Sequence, residues 1–291
     1  MASSPLRSKT GFHARSVSLP SRSHPLIPQF EEHLCRVKAS EAASISNRPS
    51  GLEQLYDCVD ELLLLPHTQQ VFAQQRHEKW VDEALDRYVR LLDVCAIAKD
   101  VFSQAKQDVQ ELLSILRRRR DTNDFGDYLS SRKKAKKVIQ KCLKNLKGAF
   151  RNNESIISLD NDHETMAIVS MLSQVEAVTL NVCESMLSYT AGTKVQSRPS
   201  RWSLVSKLMH KKNASGQDEE TDMNEFDNVD AALHSLIGHK TTMSDKGTCA
   251  ENVQNQVKKL EWSIQDHEEG LQSLFRRLIK TRVSLLNVLN H

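Results

Sequence analysis

Proline is missing from His67 to Arg198, the interval between Pro66 and Pro199. This removes the commonest helix breaker from the whole span. Glycine is scarce too: the chain has nine, and only Gly126, Gly148 and Gly192 fall inside the proline-free stretch. Aromatic residues make up 5% of the chain, so a core has to be built mainly from Leu, Val, Ile, Ala and Met. No H-E-x-x-H, G-x-S-x-G, G-x-x-x-x-G-K-[ST] or G-x-G-x-x-G string occurs, which leaves metallopeptidase, serine hydrolase and phosphate-loop chemistry without a written signature. No catalytic, cofactor-binding or metal-ligating residue is expected.

The six cysteines, Cys35, Cys58, Cys95, Cys142, Cys183 and Cys249, lie more than twenty residues apart and never form C-x-x-C. Zinc and dithiol redox sites need that closer spacing, so the thiols read as reduced core residues. The N-terminus lacks the apolar segment of a secretory signal. The least charged stretch, Thr165 to Tyr189, is interrupted by Glu176 and Glu184 and reads as the central helix of a soluble bundle rather than a membrane span.

What is present is helical periodicity. Leu85, Val89, Leu92, Cys95, Ala98, Phe102, Ala105, Val109, Leu112 and Leu116 recur every three or four positions, one apolar stripe of a long helix predicted from about Gln75 to Arg120. Earlier helices are predicted from Phe30 to about Ile45 and from Leu52 to Leu63, with a turn at Pro49-Ser50-Gly51 and a stop before Pro66. A fourth helix carries Val138, Ile139, Cys142, Leu143, Leu146 and Phe150, and a fifth runs from about Asp160 to Tyr189. The last, from about Ala250, repeats at Val253, Val257, Leu260, Ile264, His267, Leu271, Leu274, Leu278, Thr281, Leu285 and Val288. That spacing suits self-association through 250–289, but it equally suits an antiparallel bundle within one chain, which is favoured because the other helices also need a partner. His267 reads as a packed or rim histidine in this seam, with Glu268 and Glu269 solvated beside it.

Two segments stand outside the periodicity. Residues 1–30 hold seven Ser, four Pro, four Lys or Arg and no acid, a composition that predicts a disordered tail and is also that of an organelle transit peptide. Residues 192–224 read as a linker or insert that ends in Asp218, Glu219, Glu220 and Asp222. The expected fold is therefore all-α: a long-helix antiparallel bundle over 31–291, with a disordered tail and a disordered linker before the last helices.

Charge is regional. The formal net charge is +3, yet Arg117 to Arg151 holds thirteen Lys or Arg against three Asp, about +10, leaving about −7 elsewhere. Arg117, Arg118, Arg119 and Arg120 end one helix, and Arg132, Lys133, Lys134, Lys136, Lys137, Lys141, Lys144 and Lys147 cover the next. Such a face is either solvated or attracted to an anionic membrane or acidic partner. Nucleic acid is disfavoured, because no interleaved aromatics offer stacking. A second segment, Arg201 to Lys212, would place Trp202, Val205, Leu208 and Met209 on one helix face and Lys207, Lys211 and Lys212 on another, which fits a membrane surface, a calmodulin-like groove or a short helix capping the bundle. In the tail, Arg15, Ser16, Ser18 and Pro20 form an arrangement read by basophilic kinases and then by phosphoserine-binding adaptors of the 14-3-3 type, although short motifs also recur by chance.

Several strings carry a family resemblance. They are Arg15-Ser-Val-Ser-Leu-Pro-Ser-Arg-Ser-His-Pro25, Leu52-Glu-Gln-Leu-Tyr-Asp-Cys58, Leu65-Pro-His-Thr-Gln-Gln70, Leu91-Leu-Asp-Val-Cys95 and Leu113-Ser-Ile-Leu-Arg-Arg-Arg-Arg120. With Leu274 to Asn287 near the C-terminus, the chain resembles the plant BYPASS-related family, the plant-restricted domain of unknown function 241. Only 192–248 looks individual. The resemblance implies a plant helical protein linked to root and shoot development, with no assigned enzymatic activity, cofactor or catalytic residue to carry over. Its expected location is cytoplasmic, peripheral at a membrane face, with a plastid location as the alternative if the first thirty residues are a transit peptide.

Overall fold

The structure, a computed structural model, describes residues 26–40, 48–118, 125–151, 163–192, 224–238 and 243–290. Eight helices account for nearly all of them, with no strand among the described residues: α1 (Leu26–Ser40), α2 (Arg48–Leu64), α3 (Pro66–Gln74), α4 (Lys79–Arg117), α5 (Gly126–Arg151), α6 (His163–Ala191), α7 (Glu225–Gly238) and α8 (Met243–Asn290). The fold is the expected all-α bundle.

Its frame is the pairing of α4 with α8, 39 and 48 residues long, or about 58 and 72 Å at a rise of about 1.5 Å per residue. Lys106 Nζ donates to Gln265 Oε1 at 2.6 Å and to Glu268 Oε2 at 2.8 Å, while the Cys95 thiol reaches the Leu271 carbonyl at 3.7 Å. Numbers rise on one helix as they fall on the other, so the pair is antiparallel. Along α2 the order reverses: Ser273 bonds Glu53, Arg277 pairs with Asp57, and Thr281 Oγ1 donates to Asp60 Oδ1 at 2.7 Å. Thus α2 and α8 run parallel. All eleven seam positions of α8 are buried inside this one chain, whereas Trp262 on the opposite face is 75% exposed. The stripe is buried by α2, α4 and their neighbours, the solution a heptad-like spacing permits without a second chain.

The helix α6 packs against α2, α4 and α5. Its apolar length and composition alone would cross a membrane. In the fold it lines the interior, where Val175, Val178, Val182 and Leu187 are buried, the hydroxyls of Tyr56 and Thr179 meet at 2.8 Å, and Glu176 pairs with Arg87 at 3.0 Å.

Several boundaries differ from the sequence expectation. Helix α1 begins at Leu26 rather than Phe30, and Pro49, Ser50 and Gly51 form the first turn of α2 instead of a turn outside it. Proline is tolerated there because the first turn of a helix leaves its N–H groups unpaired anyway. Pro66 likewise opens a helix, α3, which buries Thr68, Val71 and Phe72. The long helix therefore starts at Lys79, after Glu78 in extended conformation, with Trp80 Nε1 bonded to Gln75 Oε1 at 3.0 Å and its ring 5.3 Å from that of Phe72. In the first turns of α4 Trp80, Val81, Ala84, Arg87, Tyr88 and Leu91 are buried, while the expected Leu85 and Leu92 are half-buried at the edge of the core and Val89 is exposed; from Cys95 to Leu112 the expected stripe is buried. Helices on more than one side of α4 widen its buried face beyond a single stripe.

Cysteine placement follows the expectation only in part. Cys58, Cys95 and Cys183 are buried and Cys142 is half-buried, but Cys35 and Cys249 are exposed.

Candidate functional site

Helix α5 has three environments around its circumference. Tyr128, Ile139 and Leu146 point into the core. On one flank, Arg132 and Lys136 face α7. Away from the core, Lys133, Lys134, Lys137, Lys141 and Lys144 are exposed, and none of them pairs with a carboxylate among the described residues. Placing these residues at 3.6 per turn puts the five lysines on one arc, opposite Ile139.

Two of the cations predicted for that surface do different work. Arg132 is only 3% exposed. Its Nη1 donates to the Thr190 carbonyl at 2.7 Å, its Nε lies 3.5 Å from Asp230 Oδ1, and its guanidinium carbon sits 4.3 Å from the centre of the Phe226 ring. Arg132 thereby joins α5, the C-terminus of α6 and α7. Lys136 is half-buried and bridges to Asp230 at 3.1 Å and to Asp227 at 3.7 Å. Burial raises the Asp227 carboxyl above its ordinary range, and the Lys136 ammonium beside it opposes that rise. Both side chains were expected on a solvated or anion-facing surface, and α7 is the reason they are not.

The α7 node was not anticipated. Asn224 serves two helices at once: its Nδ2 donates to the Tyr189 carbonyl at 2.9 Å, and its Oδ1 accepts the Asp227 N–H at 2.8 Å as the cap of α7. Gly192, at φ 67°, ends α6 in the left-handed region, and a Cβ there would lie 2.1 Å from Asp227 Oδ1. A visible signal existed, since Asn224-Glu225-Phe226-Asp227 followed by Val229 and Leu233 is a helix start ahead of an apolar stripe.

From Arg132 a run of rings crosses the bundle. Phe226 meets Tyr189 edge-on at 5.4 Å, Tyr189 stacks on His267 at 4.8 Å, and His267 stacks on Phe102 at 5.2 Å. Tyr189 Oη also donates to Glu225 Oε2 at 2.9 Å. His267 is a packed histidine whose Nδ1 bonds the Ser263 carbonyl at 2.5 Å, and burial lowers its pKa below the ordinary value. Its neighbour Glu268 is not free in solvent, because it holds Lys106.

Of the other predicted site residues, Arg117 and Arg118 are exposed at the end of α4. Arg119, Arg120, the motif Arg15, Ser16, Ser18 and Pro20, and the segment with Trp202, Val205, Lys207, Leu208 and Met209 lie outside the described residues. Among the described residues no group of three His, Cys, Asp or Glu could hold a metal ion.

Fold and surface together define a long-helix bundle protein whose most distinctive exterior feature is a row of exposed lysines with no carboxylate partner among the described residues. The family model described as Protein BPS1 matches residues 50–288, most of the chain and all helices from α3 onward except the last two residues of α8. The chain belongs to this family, the plant BYPASS-related proteins. No curated protein and no solved structure matches it.

Proposed function

We propose that this is a non-enzymatic interaction protein of plant root and shoot development that seats itself on an anionic cytoplasmic membrane face through the outer arc of α5. The observation that carries this is the contrast within one helix. Arg132 and Lys136 have carboxylate partners, while Lys133, Lys134, Lys137, Lys141 and Lys144 have none among the described residues. Each Lys near an anionic bilayer contributes about 1 kcal/mol, which salt screens over about 8 Å at physiological ionic strength. Five on one arc are enough for peripheral, reversible attachment.

Ser18 supplies the control. A phosphate there adds about −1.5 to −2 charge to an acid-free tail, creating a docking point for a phosphoserine-binding adaptor and weakening attraction to the membrane.

Sedimentation with phosphatidylserine-containing vesicles tests the membrane reading. The full chain is expected to bind them at low salt, to release as salt rises, and to ignore neutral vesicles. Replacing Lys133, Lys134, Lys137 and Lys144 together by Gln should remove most of the binding, and retention of full binding by that variant overturns the proposal.

A further inference from the structure

The flank of α5 opposite α7 forms, with α4, an open trough of about 390 Å³. Its floor is apolar: Val94 and Ile97 from α4, Val138 and Leu146 from α5. Val94 and Leu146 are buried, whereas Val138 is 57% and Ile97 38% exposed, so two branched aliphatics from different helices meet solvent in the same trough. Arg90 and Lys141 stand on opposite rims, and neither pairs with a carboxylate among the described residues. Asp93 and Asn145 add polar groups at the edges.

We infer that this trough is the docking site for an amphipathic helix of a partner protein, one that carries acidic residues beside its apolar anchors. Three observations select that occupant. The first is length: Arg90 to Ile97 is eight residues of α4, a rise of about 10 Å, two turns of a helix laid alongside. The second is charge. Arg90 and Lys141 outweigh Asp93 at the rims, so acidic residues flanking the anchors meet a net positive border. The third is a precedent within the molecule. On its other flank α5 already holds an acidic amphipathic helix, α7, through Arg132 and Lys136 on Asp227 and Asp230, with the Phe226 ring against Arg132. The trough repeats this pairing of cations with apolar surface, but without an occupant from the described chain. A lipid tail suits it less well: the trough is open to solvent, and the polar groups of Asp93 and Asn145 find nothing in hydrocarbon to bond.

The probe is a fluorescein-labelled, end-capped peptide of about 16 residues, roughly four turns, with Leu at i, i+4, i+7 and i+11 and Glu and Ala elsewhere. Its anisotropy is followed against the full chain. Saturable binding is expected, weakened about tenfold or more by Val138→Asp and by Ile97→Ser, both at exposed positions that leave the core intact, and about threefold by Arg90→Gln. A peptide with Lys in place of Glu should bind about tenfold more weakly than the acidic one. Lys136→Gln, on the α7 flank, should leave affinity unchanged. Equal affinity of Val138→Asp and the parent chain overturns the inference, as does a loss caused by Lys136→Gln, which would place the peptide on the α7 side. If Val138→Asp abolishes vesicle binding while peptide binding is absent throughout, the trough contacts lipid and the partner helix is wrong. The lysine-arc variant tests membrane attachment separately, so the two proposals fail independently.

Discussion

Arg87 Nε lies 3.0 Å from Glu176 Oε2 with both side chains buried, tying the N-terminal quarter of α4 to the middle of α6. Two charges held away from water interact strongly but have each lost their hydration, so the pair is costly to break and not costly to replace as a unit. Burial pushes the Glu176 carboxyl up to about 7, and Arg87 limits the rise.

Arg87→Met is therefore expected to lose about 3–5 kcal/mol of unfolding free energy near pH 8, where Glu176 must either stay charged without its partner or hold a proton that the unfolded chain has released, and clearly less near pH 5, where the buried carboxyl is protonated with Arg87 or without it. The double variant Arg87→Met, Glu176→Leu should recover most of the loss. Urea melts of the three chains at both pH values check this; equal losses at both, or a double variant no better than the single, would contradict it.

Glu176 and His267 also set opposing pH slopes. The folded-state pKa of Glu176 is raised, so its contribution to stability is full below its unfolded value of 4.5 and is lost as pH climbs toward about 7. The pKa of His267 is lowered, so the folded chain binds fewer protons than the unfolded one, and its contribution is full above 6.5 and is lost as pH falls below that value. Glu176→Gln should therefore steepen the loss of stability on acidification between about pH 7 and 5, and His267→Phe, which keeps a ring between Phe102 and Tyr189, should flatten it. Midpoints of chemical unfolding across that range read both slopes.

Within one stretch of α5, adjacent cations should differ sharply. Arg132→Ala removes one of the two cationic partners of Asp230, the donor to Thr190 and the ring contact to Phe226, and is expected to cost about 3 kcal/mol. Lys133→Gln, exposed and unpaired among the described residues, should stay within about 0.5 kcal/mol of the parent. Gly192→Ala should fall on the Arg132 side, because a Cβ at φ 67° collides with Asp227. Thermal melts followed by circular dichroism rank the three, and a large loss in Lys133→Gln would refute the assignment of that side chain to solvent.

Thiol labelling under native conditions should proceed in three classes. Cys35 and Cys249 react first, Cys142 more slowly because burial raises its thiol pKa, and Cys58, Cys95 and Cys183 only as the bundle opens. Peptide mapping of a time course with a maleimide reads the order; early modification of Cys95 or Cys183 would contradict the packing of α4 and α6.

Helix α8 was legible because its signal is local and long: eleven positions at alternating spacings of three and four specify one face without reference to any neighbour. The start of α4 was less so. Leu85 and Leu92 fit a helical stripe as well as Ala84 and Leu91 do, and only the positions of α6 and α8 decide between the two registers. Arg132 shows the limit most clearly. In the sequence it is the first of a cationic run and cannot be told from Lys133, whereas in the fold it is buried and Lys133 is exposed.

The sequence by itself determined that the chain is helical, that α8 presents a continuous apolar seam, and that positive charge is concentrated around α5, because periodicity, proline content and charge density are properties of near neighbours. The tertiary structure alone decided which cations of α5 are consumed by α7, that His267 is sandwiched between Phe102 and Tyr189, and that Ile97 and Val138 stand together in an open trough. Those outcomes depend on helices distant in sequence meeting at a particular rotation about their axes. Helical periodicity shows that a face exists; packing fixes what it faces.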